Sequence, residues 1–175
     1  MRPCRLEVTS GAAIVYPLWF FLDSFGWFSA AVPAILCHEL GHWIAVSLSG
    51  EKVFSLRLEV FGLCMETTPF SRRREEIFCL AAGPVCGMLW GAVAFCMKGA
   101  WAGKSAAVSL GLNLFNLLPA LPLDGGRILL AATGRGDLVR ASSLLTAGLL
   151  ICAVWYGRLW ACIPAVLIVG AVLTA

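Results

Sequence analysis

Apolar runs about as long as a bilayer is thick dominate the chain and leave it few choices of surroundings. A spanning helix takes about 20 mostly apolar residues, and six candidate runs can be marked along the 175 residues. They are Ser10–Leu22, Trp27–Leu48, Ile77–Met97, a run from about Ser105 that breaks at Pro119–Gly126, Leu138–Trp155 and Leu159–Thr174. Hydrophobic residues make up 60% of the chain and charged residues 13%, against about 45–50% and about 25% in soluble domains. A soluble globular fold is excluded. Disorder needs low hydrophobicity and high net charge, and a formal net charge of only +3 speaks against nucleic acid as a partner. The pattern predicts an all-α polytopic membrane protein of about six transmembrane helices, forming one domain over residues 1–175.

Arg2 and Arg5 ahead of the apolar stretch Ala12–Leu22 have the look of a secretory signal. No small-residue cleavage site follows, and Asp23-Ser24-Phe25-Gly26-Trp27 reads as a turn, so the stretch is kept as a membrane segment. Between the second and third runs, Lys52–Val60 partly alternates and is followed by Gly62 and Leu63–Thr68. This predicts a small β-hairpin or sheet at the membrane surface. With six spans, one face receives 10 of the 13 Lys and Arg residues and the other receives only Lys98, Lys104 and Arg158. Because Lys and Arg accumulate in cytoplasmic loops, both termini and the Ser49–Ser71 segment are expected on the cytoplasmic side.

The eight cysteines, Cys4, Cys37, Cys64, Cys79, Cys86, Cys96, Cys152 and Cys162, lie mostly inside apolar runs and form no C-x-x-C pair. They read as small packing residues, with Cys37 set apart only by its neighbour His38. Gly83, Gly87 and Gly91 put a glycine stripe on one face of the third run. Such a stripe admits a neighbouring backbone closely, and the expectation is a catalytic helix against it, with generic packing or dimerisation as the alternative.

The chain has two histidines, and both fall in His38-Glu39-Leu40-Gly41-His42, an H-E-x-x-H sequence inside the second apolar run. On a helix the two imidazoles share a face one turn apart, the spacing at which they bind one zinc ion, and the glutamate between them can act as a base. Ionisable residues within a membrane segment are costly and mark function. Catalytic zinc takes a third protein ligand. Of the acidic candidates, Asp124 alone sits in the broken fourth run, where irregular backbone at membrane depth must line protein or a watery cavity. It is assigned as the third ligand, the alternative being a cap for the helix that begins near Gly125. Asn116 could donate to an oxyanion or align a substrate backbone, and Asn113 reads as an interhelical hydrogen-bonding residue.

His38-Glu39-Leu40-Gly41-His42 with Asn116-Leu117-Leu118-Pro119-Ala120-Leu121-Pro122-Leu123-Asp124-Gly125-Gly126 resembles the site-2 protease family of intramembrane zinc metalloproteases. That family's pattern is HExxH followed by N-x-x-P-x-x-P-x-D-G, and Ala82-Gly83-Pro84 resembles its A-G-P element. The resemblance covers about Ala30 to Leu130. It implies a three-helix catalytic core near the cytoplasmic face of a bacterial cell membrane, one zinc held by His38, His42 and Asp124, Glu39 as base and Asn116 as the substrate or oxyanion residue. It further implies cleavage of membrane-tethered proteins, such as pro-sigma or anti-sigma factors. In many members an asparagine stands three positions after A-G-P, where this chain has Gly87. The length leaves no room for a PDZ or CBS domain, which brings the chain nearest to the sporulation sigma-factor-processing branch. The rival readings are a membrane zinc-binding or transport protein and a catalytically silent membrane adaptor.

Overall fold

A short strand, β1 (Arg5–Val8), leads into helix α1 (Ser10–Leu22) and then α2 (Trp27–Leu48) before the chain returns to strands β2 (Val53–Glu59) and β3 (Gly62–Thr67). Four more helices follow: α3 (Arg73–Cys96), α4 (Ala100–Asn116), α5 (Asp124–Thr133) and α6 (Gly136–Trp155). The computed structural model describes residues 5–59, 62–155, 166 and 168–170. Its chain forms two units, Met1–Asn113 and Leu114–Ala175, which are described in turn.

In the first unit the strands order as β1-β2-β3, with β1 parallel and β3 antiparallel to β2. The β2–β3 hairpin is the surface sheet expected from the alternation. Strand β1 is an addition: four residues carry too little pattern to be read alone. A parallel neighbour must be reached by a crossover, and here α1 and α2 together make it, one leaving the sheet and one returning. Arg5 therefore lies at the same end as the hairpin, as the charge count requires.

Thr9 joins sheet to helix: its side chain accepts from the Ala12 N–H as the α1 N-cap, and its backbone and hydroxyl both donate to the Leu58 carbonyl at 3.0 and 3.1 Å. The turn after α1 is held by Asp23, whose carboxylate accepts the Phe28 N–H at 2.6 Å. Gly26 follows at φ +72°, a left-handed conformation that glycine adopts without strain. At the start of α4, Lys104 donates to the Phe25 carbonyl and sits 5.6 Å over the Trp27 ring. A cation in an apolar helix is thereby satisfied at its end.

Helix α3 is the centre of this unit. It begins a turn earlier than its apolar run, since Glu75 and Glu76 in the first turn suit the positive end of the helix dipole. Its glycine stripe is buried against two neighbours: a Cβ at Gly83 would fall on the His42 ring, at Gly87 on the Asn113 amide and at Gly91 on Leu110. The helix that carries H-E-x-x-H is thus one of them. Below the stripe Ala45, Val46 and Cys79 form an apolar cluster with Val53, Met65 and Phe70, which seats the sheet on the helices.

In the second unit a loop over residues 117–123 leads into α5, and α6 supports it. The Ser143 hydroxyl accepts from the Leu121 N–H at 3.0 Å, and the Ser142 hydroxyl donates to the Pro119 carbonyl at 2.6 Å. Ala120, Ala147 and Ile168 form its apolar cluster. Helix α5 ends at Gly134, φ +66°, whose N–H binds the Leu130 carbonyl.

Among the described residues three helices, α2, α3 and α6, are long and apolar enough to cross a membrane. With 13 residues α1 rises only about 20 Å, short of the roughly 30 Å hydrocarbon core. The described portion is mostly helical with one small sheet. Most of the Leu159–Thr174 run, with Arg2, Cys4, Arg158 and Cys162, lies outside the described residues. Among the described residues Cys37, Cys79, Cys86, Cys96 and Cys152 form no disulfide.

A Cβ at Gly41 would come within 2.5 Å of the Ala82 carbonyl oxygen, whereas one at Gly91 meets a flexible Leu110 side chain at 3.0 Å. Gly41→Ala is therefore expected to lose about 1–3 kcal/mol of stability and Gly91→Ala clearly less, read as the drop in Tm of the two variants in detergent.

Candidate metal centre

Helix α2 places His38 and His42 one turn apart on the face that meets α3, and their Nε2 atoms approach to 3.1 Å. The opposite ring nitrogens are both engaged. His38 Nδ1 lies 2.7 Å from Asn113 Oδ1, and His42 Nδ1 lies 2.8 Å from the Cys79 backbone carbonyl. The Asn113 amide nitrogen donates to the Ser109 carbonyl at 2.6 Å, which leaves its oxygen facing His38. A carbonyl oxygen only accepts, so each imidazole must carry its proton on Nδ1 and present a lone pair at Nε2. Two such lone pairs aimed at one point suit a shared cation. Fixing the tautomer through a hydrogen bond on the far nitrogen is the usual support of a metal-binding histidine. The half-buried Glu39 follows His38 directly, next to but off the histidine face.

The glycine stripe gives these rings their space. A Cβ at Gly83 would lie 2.2 Å from His42 Nε2, and one at Gly87 would lie 2.1 Å from Asn113 Nδ2. Gly87 stands where the family pattern often has an asparagine, and here the Asn113 amide from α4 fills the space a side chain at that position would take. Asn113 is fully buried. Its reading as an interhelical hydrogen-bonding residue holds, but its bond goes to a site histidine, a role that its sequence position does not disclose. The Cys79 carbonyl carries no sequence signal at all, since any residue type supplies it. Pro84, which lacks the N–H that would close a helical bond back to the Leu80 carbonyl, loosens α3 next to this turn. Cys37 is half-buried on α2, where burial of a thiol in an apolar run matches a packing role.

Asp124 and Asn116 belong to the second unit. Asp124 is the first residue of α5 and is 9% exposed. Leu123 occupies the cap position of α5, so Asp124 stands one residue inside the helix rather than at its cap. At the first helical position its carboxylate is favoured by the helix dipole. The following glycines are required by contact: a Cβ at Gly125 would lie 2.2 Å from the Leu117 carbonyl oxygen, and one at Gly126 would lie 2.4 Å from the Ala120 carbonyl carbon. Asn116 ends α4 and is half-buried.

No protein-family model matches the chain. Over 125 residues it is 36% identical to the protein named "Putative zinc metalloprotease Rip3" of Mycobacterium tuberculosis, a match covering 62% of this chain and 31% of that one. Over 106 residues it is 32% identical to sll0528 of Synechocystis, which bears the same description, covering 55% of this chain and 28% of that one. The match thus spans about a third of the length of these curated relatives. Among solved structures, the site-2 protease from Methanocaldococcus jannaschii shares the fold at a TM-score of 0.66, with 22% identity, 95% of this chain and 86% of that chain covered.

If Asn113 orients His38, Asn113→Leu and Gly87→Ala should each weaken zinc binding by about 10- to 100-fold, read by competition with a chromophoric chelator on detergent-purified protein. Equal affinity in the wild type and both variants would remove Asn113 from the centre.

Proposed function

We propose that this chain, whose sequence relatives and fold both support the site-2 protease family, is an intramembrane zinc metalloprotease that hydrolyses peptide bonds of membrane-tethered proteins. The observation that carries the reading is the convergence of two Nε2 acceptors, each ring locked by an acceptor on its far side. His38, His42 and Asp124 are the ligands we assign: two imidazoles and one carboxylate form a donor set that suits zinc. When bound there, one zinc per chain supplies Lewis acidity, bringing the pKa of a water towards about 7 and polarising a carbonyl.

The chain's own residues do the rest. Glu39 takes the proton from the attacking water on its carboxylate and returns it to the leaving amide nitrogen, which departs as the amine. Asn113 and the Cys79 carbonyl keep both imidazoles in the Nδ1–H tautomer throughout. Asn116 aligns the substrate backbone or donates to the developing oxyanion. A peptide bond in a helix is shielded by its neighbours, so the substrate must unwind near the bond, and the three-stranded sheet offers an edge to which an extended segment can pair.

For topology we propose six spans, with α1 and α4 completed by local thinning or tilt and the last span supplied by the C-terminal run. The uneven distribution of Lys and Arg supports cytoplasmic termini and a centre near that face of a bacterial cell membrane. Substrates of the pro-sigma or anti-sigma kind fit such a site. A transporter would need ionisable residues along several helices, yet α6 has none between Ala141 and Trp155. A silent adaptor would not need the imidazole pair held in this tautomer.

Glu39→Gln is expected to abolish cleavage of a tethered substrate while about one zinc per chain remains, and Asp124→Ala to lose both zinc and cleavage. Elemental analysis alongside a cleavage assay in detergent decides the matter. Full activity in Glu39→Gln would sink the mechanism, and undiminished zinc in Asp124→Ala would reopen the third ligand.

A further inference from the structure

A cavity of about 150 Å³ lies in the first unit between α1, α2 and the end of β2. Phe28, Val32, Ile35 and Leu36 of α2, Tyr16 and Trp19 of α1 and Leu58 of β2 line it with Ala31. The one polar group on these side chains besides the Trp19 indole N–H is the Tyr16 hydroxyl, and it donates to the Glu59 carbonyl at 3.1 Å, so the ring serves as wall. No charged residue lines the space.

The cavity is aligned with the general base. Phe28, Val32 and Ile35 recur on α2 at steps of four and three, and a further step of four reaches Glu39. Residues so spaced share one helix face. His38 and His42 lie on the neighbouring face towards α3. From Ile35 to Glu39 the helix rises about 6 Å, the distance covered by about two residues of extended chain.

We infer that this cavity is the subsite for an apolar side chain of the substrate, one or two residues from the cleaved bond. The inference rests on the proteolytic reading above. The space is half-open, with Leu36, Val32 and Trp19 at its exposed rim, and its volume matches that of a cavity that accepts benzene, so a phenyl or isobutyl group suits it. A carboxylate or ammonium group would lose its hydration without gaining a partner, and charged residues are rejected. A lipid tail is the less apt occupant: it would lie on the stripe that leads to the base and obstruct the substrate there.

The test uses the zinc-loaded, detergent-purified full chain and a set of tethered substrates carrying Ala, Leu, Phe, Trp or Asp at each of the two residues on either side of the cleaved bond. At one position the wild type is expected to favour Leu and Phe over Ala and Asp by roughly 10- to 100-fold in kcat/KM. Val32→Phe, which fills the space from a partly exposed position, should erase that preference by bringing the Leu and Phe substrates down to the level of the Ala substrate. Ile35→Ala, which enlarges it, should shift preference towards Trp. Zinc content and turnover of the Ala substrate report whether each variant is folded, and two variants of opposite sign guard against the loss of one. An unchanged profile in both variants, with cleavage retained, overturns the subsite and leaves proteolysis standing. Parallel loss on every substrate with zinc retained marks the space as a lipid seat or a general support and also overturns it. Failure of the zinc-loaded wild type to cleave any of the set overturns both readings.

Discussion

Close approach of neighbouring helices to the glycine face of α3 is the constraint on which the first unit depends. In a bilayer no hydrophobic force pushes apolar helices together, so close packing through small residues is what holds them. Gly83, Gly87 and Gly91 supply that approach; the space at Gly83 and Gly87 is filled by the His42 ring and the Asn113 amide, and that at Gly91 by Leu110. His38 donates to Asn113, Asn113 to the Ser109 carbonyl, and the Ser109 hydroxyl to the Gly87 carbonyl at 2.6 Å. The network runs from α2 through α4 and closes on α3. Each of these links pairs a donor with an acceptor, which is what a buried polar network must do to hold a structure rather than weaken it. The packing device and the support of the centre are therefore one feature.

The second unit solves a related problem with different residues. Irregular backbone between α4 and α5 exposes peptide groups that lipid cannot satisfy, and the hydroxyls of Ser142 and Ser143 on α6 take up two of them. Glycines at 125 and 126 let the loop lie directly on the first turn of α5. That close fit holds Asp124 at the helix start and buried, where a carboxylate gains from the dipole but is kept from bulk water.

The sheet does more than decorate the membrane surface. Because β1 runs parallel to β2, α1 and α2 must go out and come back between them, and this return puts the basic N-terminal segment at the end that carries the hairpin. Arg57 then lies between Glu7 of β1 and Glu66 of β3, at 3.1 and 3.5 Å. Its guanidinium pKa is raised, first by the hydrogen bond to Glu7 and then by the carboxylates around it. These exposed pairs add little stability, but they match the three strands in charge.

Much of this was legible in the sequence because it depends on spacing along one helix or on composition. The apolar runs announced a membrane protein, H-E-x-x-H announced two imidazoles on one face, four-residue glycine spacing announced a closely approached face, and partial alternation announced the hairpin. Each follows from the 3.6 or 2.0 period of a single element. What the tertiary structure decided concerns partners far apart in the chain. Asn113 is 75 residues from His38, the Cys79 carbonyl is 37 from His42, and β1 is about 50 from the strand it pairs with. A backbone carbonyl has no residue signature, a four-residue strand has too short a pattern, and an asparagine in an apolar helix does not say which group it meets. Local periodicity determined which faces would be polar, small or apolar. Only packing decided which side chain fills the space above Gly87, and with it which nitrogen of His38 is left to bind.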